Sequence, residues 1–333
     1  MLEYHTIVSL RTSATEYYLQ NTPACRKWFT IGSIIICPVL FVINAPFGRF
    51  ALHGKSILSF DGIKSWFVME IISPLMFIVS FLDSPLSRGE PVSFRPYLAQ
   101  YILAVAYLTH YCNRAIISPL RTPSRSKSHI IVPFTGILFN LLNGSLMGTY
   151  LSSPAASTYL ARPRPLFYIG LILWASGFVG NIIHDEILLN LRRKANSKPD
   201  GKVTGSSGRT AKTINTSEHY AIPYGLLYKY ISYPNYFCEW IEWTGFALAA
   251  SPFPFDATSL GYVLQTLSSP SSLFAFLRSS SSFFVLRLTP PWIFLLTEIV
   301  LMLPRAYKGH QWYKERFGDS YPKERNVVVP FVW

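Results

Sequence analysis

The chain has 333 residues, of which half are apolar, 16% aromatic and only 14% charged, with a mean hydropathy of +0.26 and a formal net charge of +13. A water-soluble protein of this size carries about a quarter charged residues, and the apolar runs here recur near the ~20 residues that cross a bilayer. The composition excludes an ordinary soluble domain and, because the runs are long and do not alternate, a β-barrel; it predicts an all-α polytopic membrane protein.

In chain order, residues 1–27 read as a polar N-terminal segment, expected on the lumenal side. It shows no cleavable signal pattern, so the first span is expected to serve as the insertion signal. Residues 28–333 read as one membrane domain of seven spans: Trp28–Ala45, Ser65–Leu82, Tyr97–Pro119, Ile130–Leu151, Leu166–Asn190, Tyr236–Pro252 and Phe283–Leu303. The sixth starts on an acidic turn and is cut short by Pro252 and Pro254. Residues 194–219 are rich in Gly, Ser and Lys and predict a mobile loop. Residues 253–282 form a Ser-rich insertion, expected as a loop or an interfacial segment.

With the N-terminus lumenal, seven spans place 21 of the 30 Lys and Arg residues on the cytosolic side, together with the C-terminus. The net positive charge is therefore in part a topology signal, and no nucleic-acid partner is needed to explain it. The basic cytosolic face offers a dock for an anionic cofactor. Four cysteines without a C-x-x-C pair and seven scattered histidines point to no metal site.

Ionisable groups inside spans cost about 2.5–3.5 kcal/mol each on insertion scales and are functional candidates by default. In "SWFVMEIISP", Glu70 is the sole acid of the second span and Trp66 lies one turn before it on the same face. In "LTHYCNRAIISPL", Tyr111 and Arg114 are three apart; an interfacial Tyr with a snorkelling Arg is the plainer account. In "GNIIHDEILLNLRRK", Asn181 and Asp185 share a face with Arg192, and an Asp–Arg bridge within the helix is the structural alternative. In "SYPNYFCEWIEWTG", Asn235, Glu239 and Trp243 repeat every four residues, whereas Glu242 falls off that face and is expected to be structural. The C-terminal segment sets Arg305 and Tyr313 just past the last span, where they could anchor at the interface or line a pocket for phosphates and a purine. Neither G-x-G-x-x-G nor G-x-x-x-x-G-K-[ST] occurs, so a nucleotide site would be of neither Rossmann nor P-loop type.

These residues, with "HYCNR", "NGSLMGTYL", "YAIPYGLLYKYISYPNYFCEWIEWTGFALA" and "HQWYKERFGDSYPKERNVVVPFVW", resemble the steroid 5α-reductases, also called 3-oxo-5α-steroid 4-dehydrogenases. The similarity runs from about Trp66 to the C-terminus. It implies a seven-helix bundle in the endoplasmic reticulum membrane that takes NADPH from the cytosolic side and reduces the C4–C5 double bond of a 3-oxo-Δ4 steroid. By resemblance, Glu70 and Tyr111 hold the substrate's 3-keto oxygen. Arg114, Asn181, Asp185, Arg192, Tyr220, Asn235, Glu239, Arg305 and Tyr313 form the cofactor shell, and Trp66 and Trp243 line the substrate or nicotinamide region. Ala221 and Gly309 depart from the family, which carries Arg and His there, and Arg121 and Arg125 have no assigned counterpart.

Conjugate reduction puts a hydride on the β-carbon and builds charge on the carbonyl oxygen, where each fixed donor is worth about 3–4 kcal/mol in a dry site. A Tyr hydroxyl beside a carboxyl kept protonated by apolar surroundings would supply this. The α-proton donor is open between water and Tyr111. Alternatives are trans-2-enoyl-CoA or polyprenol reduction in the same superfamily, an isoprenylcysteine-type methyltransferase, whose acidic tail motif is missing here, and a non-enzymatic sterol-binding protein.

Overall fold

The computed structural model describes residues 2–50, 57–87, 96–196, 220–254, 261, 264–266, 268–281 and 288–332. Its long helices are α1 (Leu2–Val42), α2 (Gly62–Asp83), α3 (Leu98–Tyr111), α5 (Ile131–Leu151), α7 (Pro165–Asn196), α8 (Pro234–Ala250) and α10 (Pro290–Phe317). Shorter helices are α4 (Ser118–Arg121), α6 (Pro154–Leu160) and α9 (Pro270–Arg278). A two-residue antiparallel pair, β1 (Ser59–Phe60) and β2 (Ser128–His129), ties the start of α2 to the start of α5.

All seven expected spans coincide with helices. Four stretches are long and apolar enough on their own to cross a membrane: Thr22–Val42, Gly62–Ser87, Ile131–Leu151 and Pro165–Lys194. The other three are the helices that carry most of the polar site, which lowers their apolar content. The first helix starts far earlier than Trp28, and α10 continues well past Leu303, so the basic, aromatic C-terminal segment begins as helix. The expected loop at 197–219 and residues 282–287 at the start of the expected seventh span lie outside the described residues.

Local chemistry sets the helix ends. Asp61 caps α2 by accepting from the amides of Ile63 (3.0 Å) and Lys64 (2.8 Å). Pro234 opens α8 and Pro290 opens α10, where a missing N–H costs nothing. Between α3 and α4 the backbone widens into a π-helical turn, Cys112–Ile117, a form frequent at functional sites.

The main pairings are α2 with α5, α7 with α8, and α1 with α10. Small residues let two of these seams close: a Cβ at Gly144 would collide with the Ser73 carbonyl, and one at Gly177 with the Glu242 backbone. The core between them is aromatic, with Phe77, Tyr107, Trp243, Phe246 and Phe294 buried together. The Ser-rich insertion holds a true helix, α9, whose last carbonyls are capped by Lys27 Nζ of α1, at 2.9 Å from Leu277 O and 2.7 Å from Ser279 O.

Candidate functional site

The seam between α7 and α8 and the π-helical turn bring the polar residues of four helices to one place. Arg114, in that turn, reaches in two directions: Nε lies 3.3 Å from Glu70 Oε1 on α2, and Nη1 lies 2.8 Å from Glu239 Oε1 on α8. Asn181 of α7 donates to the other Glu239 oxygen (3.1 Å) and to the Asn235 carbonyl (3.2 Å). Asn235 in turn donates to Asp185 Oδ1 at 2.9 Å. The face predicted from Asn235 and Glu239 therefore exists, and it meets the Asn181–Asp185 stripe side chain to side chain. Asp185 bonds to Asn235; among the described residues it forms no ion pair with Arg192.

Trp66 donates to the Arg114 carbonyl (3.2 Å), and the guanidiniums of Arg114 and Arg125 lie 5.1 and 4.0 Å from its ring centre. Arg125, in the loop before α5, has its pKa pushed down to about 10 by burial and then by the positive charge of Arg192, with Asp185 as the first offsetting anion. The cluster is short of negative charge.

Glu70 and Tyr111, expected to act as a pair, are not hydrogen-bonded to each other among the described residues. Glu70 is taken by Arg114. The Tyr111 hydroxyl accepts from Asn143 Nδ2 of α5 at 3.0 Å, and the same amide reaches Tyr107 Oη at 3.0 Å, which lies 2.7 Å from Ser73 Oγ. Trp243 is buried in the core, edge-on to His110 (4.6 Å) and Phe294 (4.5 Å). Glu242 lies 2.7 Å from His110 Nδ1, while its second oxygen is sealed in without a partner.

A second group adjoins the first, because Tyr233 belongs to it and Asn235 to the belt just described. Arg49, from the connection after α1, sits over Tyr313 (4.6 Å), Trp312 (4.9 Å), Tyr233 (5.7 Å) and Tyr220 (5.8 Å), and donates to the Gly309 carbonyl (3.3 Å). Arg305 stacks on Phe47 at 3.6 Å and keeps one buried guanidinium nitrogen, Nη1, without a hydrogen-bond partner. Gly309, which departs from the family, has a physical reason: a Cβ there would overlap the Tyr233 hydroxyl.

Sequence reading missed Asn143, Glu298 and Arg49 and left Arg125 unassigned. Asn143 and Glu298 carried the signal that found Glu70, a polar side chain inside an apolar span. Arg49 gave none, since the rings around it come from distant parts of the chain.

The surplus of cations and the orphaned Arg305 nitrogen suit a phosphate-bearing ligand, and the amides and carboxylates of the belt suit ribose hydroxyls and a carboxamide.

A family model described as 3-oxo-5-alpha-steroid 4-dehydrogenase matches residues 126–202, 209–263 and 257–333. The chain is 36% identical to an uncharacterized protein of Schizosaccharomyces pombe, over 92% of this chain and 96% of that one. It is 28% identical to 3-oxo-5-alpha-steroid 4-dehydrogenase 1 of Rattus norvegicus, over 87% of each chain. It is also 28% identical to the steroid 5-alpha-reductase DET2 of Solanum lycopersicum, over 87% of this chain and 88% of that one.

Proposed function

The chain belongs to the 3-oxo-5-alpha-steroid 4-dehydrogenase family, and we propose that it reduces the C4–C5 double bond of a 3-oxo-Δ4 steroid with NADPH, in the endoplasmic reticulum membrane. With its family it is an oxidoreductase acting on a CH–CH group. Arg192 and Arg305 would hold phosphates; Arg114, Asn181, Asp185, Tyr220, Asn235, Glu239 and Tyr313 would seat the rest of the cofactor. NADPH, when bound, supplies the hydride for the β-carbon.

The observation that carries the reading is the Tyr111 hydroxyl. Because its oxygen accepts from Asn143, its own proton is free to point at a substrate carbonyl, where enolate charge develops. Glu70 completes the grip from α2, and Arg114 fixes it to the cofactor side through Glu239. Trp66, under two guanidiniums, would flank the nicotinamide, and Trp243 backs the reacting end with a dry aromatic wall.

The test is NADPH fluorescence decay with purified protein and a 3-oxo-Δ4 steroid, followed by product analysis. A 5α-reduced product is expected, with activity lost in Glu70→Gln and Tyr111→Phe. Decay with enoyl-CoA but not with steroids would assign a different substrate, and undiminished variants would remove the two residues from the mechanism.

A further inference from the structure

Glu298 lies in α10 within "FLLTEIVLML" and is 9% exposed. Its charged neighbours are Glu239, Arg114, Glu70 and Glu242, yet Arg114, the cation among them, is already shared by Glu70 and Glu239. No hydrogen bond or ion pair within the described residues engages the Glu298 carboxyl. Its oxygens are also not among the sealed polar atoms, in contrast to Glu242 Oε2, so they open onto the interior of the site. A carboxyl left this way in an apolar span is costly unless a ligand brings the missing partner.

Its place indicates which ligand. Phe294, one turn earlier on the same face, packs 4.5 Å from Trp243 and 6.1 Å from Phe139, which lies 5.2 Å from Phe29. This aromatic wall of α1, α5 and α10 suits a flat hydrocarbon skeleton. The polar belt of α7 and α8 suits the cofactor. Glu298 ends the wall beside Tyr107 and Tyr111, at the reacting end.

We infer that Glu298 hydrogen-bonds a hydroxyl of the lipid substrate, carried on the ring that bears the enone or the ring next to it. This rests on the steroid reduction proposed above, and it narrows the substrate to a hydroxylated 3-oxo-Δ4 lipid. A site that hydrogen-bonds a substrate hydroxyl discriminates strongly against the analogue lacking it, because the buried group is then left unpaired.

The experiment compares kcat/KM for matched pairs of 3-oxo-Δ4 steroids: unsubstituted, hydroxylated near the enone, and hydroxylated only at the far end. The native protein is expected to favour the near-hydroxylated member by about tenfold or more. Glu298→Leu is expected to abolish that preference and Glu298→Gln to retain part of it. A native protein without the preference overturns the assignment even where a variant fails to fold. So does a preference unmoved in Glu298→Leu, or a change confined to the KM for NADPH. A native protein that reduces none of these steroids overturns the reduction itself, which separates the two failures.

Discussion

Asn143 donates to the Tyr111 hydroxyl across 3.0 Å, from one buried helix face to another. The bond uses the tyrosine's lone pair and leaves its proton directed elsewhere, which makes Asn143 a positioning residue. Asn143→Leu is expected to lower kcat about 10- to 100-fold with a smaller change in KM, short of the ~10²–10³ that follows loss of a direct donor. In a Tyr111→Phe background the same change should add little. Full additivity of the two losses would show that Asn143 acts through something else.

Arg114 spans two acids on different helices, so its removal leaves two buried carboxylates without a cation. Breaking a buried pair costs about 3–5 kcal/mol, and Arg114→Ala should lower thermal stability in detergent accordingly. Arg114→Lys keeps the charge but has a single nitrogen for two carboxylates, and should lose activity more than stability. An Arg114→Ala melting temperature equal to the native one would count against the bridge.

At Gly309 a methyl group would overlap the Tyr233 hydroxyl. Gly309→Ala should destabilise by about 1–3 kcal/mol, the usual range for overpacking. Tyr233→Phe in the same chain should restore part of it, since the ring carbon itself stays too close. A neutral Gly309→Ala would mean the ring moves freely.

Most of the helices were legible because span length and polar residues at four-residue spacing are local signals. Glu70, Arg114, Asn181, Asp185 and Glu239 stood out as polar groups in apolar surroundings, and the structure brings them together. What escaped were relationships between distant segments. The expected Glu70–Tyr111 pair is two separate bonds, one to Arg114 and one to Asn143, because side-chain partners across helices depend on rotation that spacing along one helix does not encode. The aromatic box around Arg49 draws on four residues from 220 to 313 and has no local pattern at all.

His310 lies on the part of α10 past the expected span, with Nδ1 2.6 Å from Ser232 Oγ, which is also 2.6 Å from Tyr321 Oη. Burial first, then the charges of Lys314 and Arg325, lower its pKa from 6.5 to about 4. The unfolded chain therefore takes up a proton that the folded chain refuses between these values. Stability from this site is full above about pH 6.5 and is lost progressively as pH falls toward 4. Melting temperature against pH should show this acid slope, and His310→Gln should flatten it. Parallel slopes in both proteins would assign the acid sensitivity elsewhere.

The π-helical turn at Cys112–Ile117 holds one more residue per turn than the helix on either side. Its ends are anchored, Tyr111 in the core and Ala115 buried beside it, so the surplus cannot slide away along the chain. A chain lacking Cys112 would still cross the same thickness, but every side chain after the deletion would face a new bearing, Arg114 among them. At this point of the molecule the count of residues, independent of their identity, is under selection. A one-residue deletion here should be more harmful than most substitutions of the residue removed.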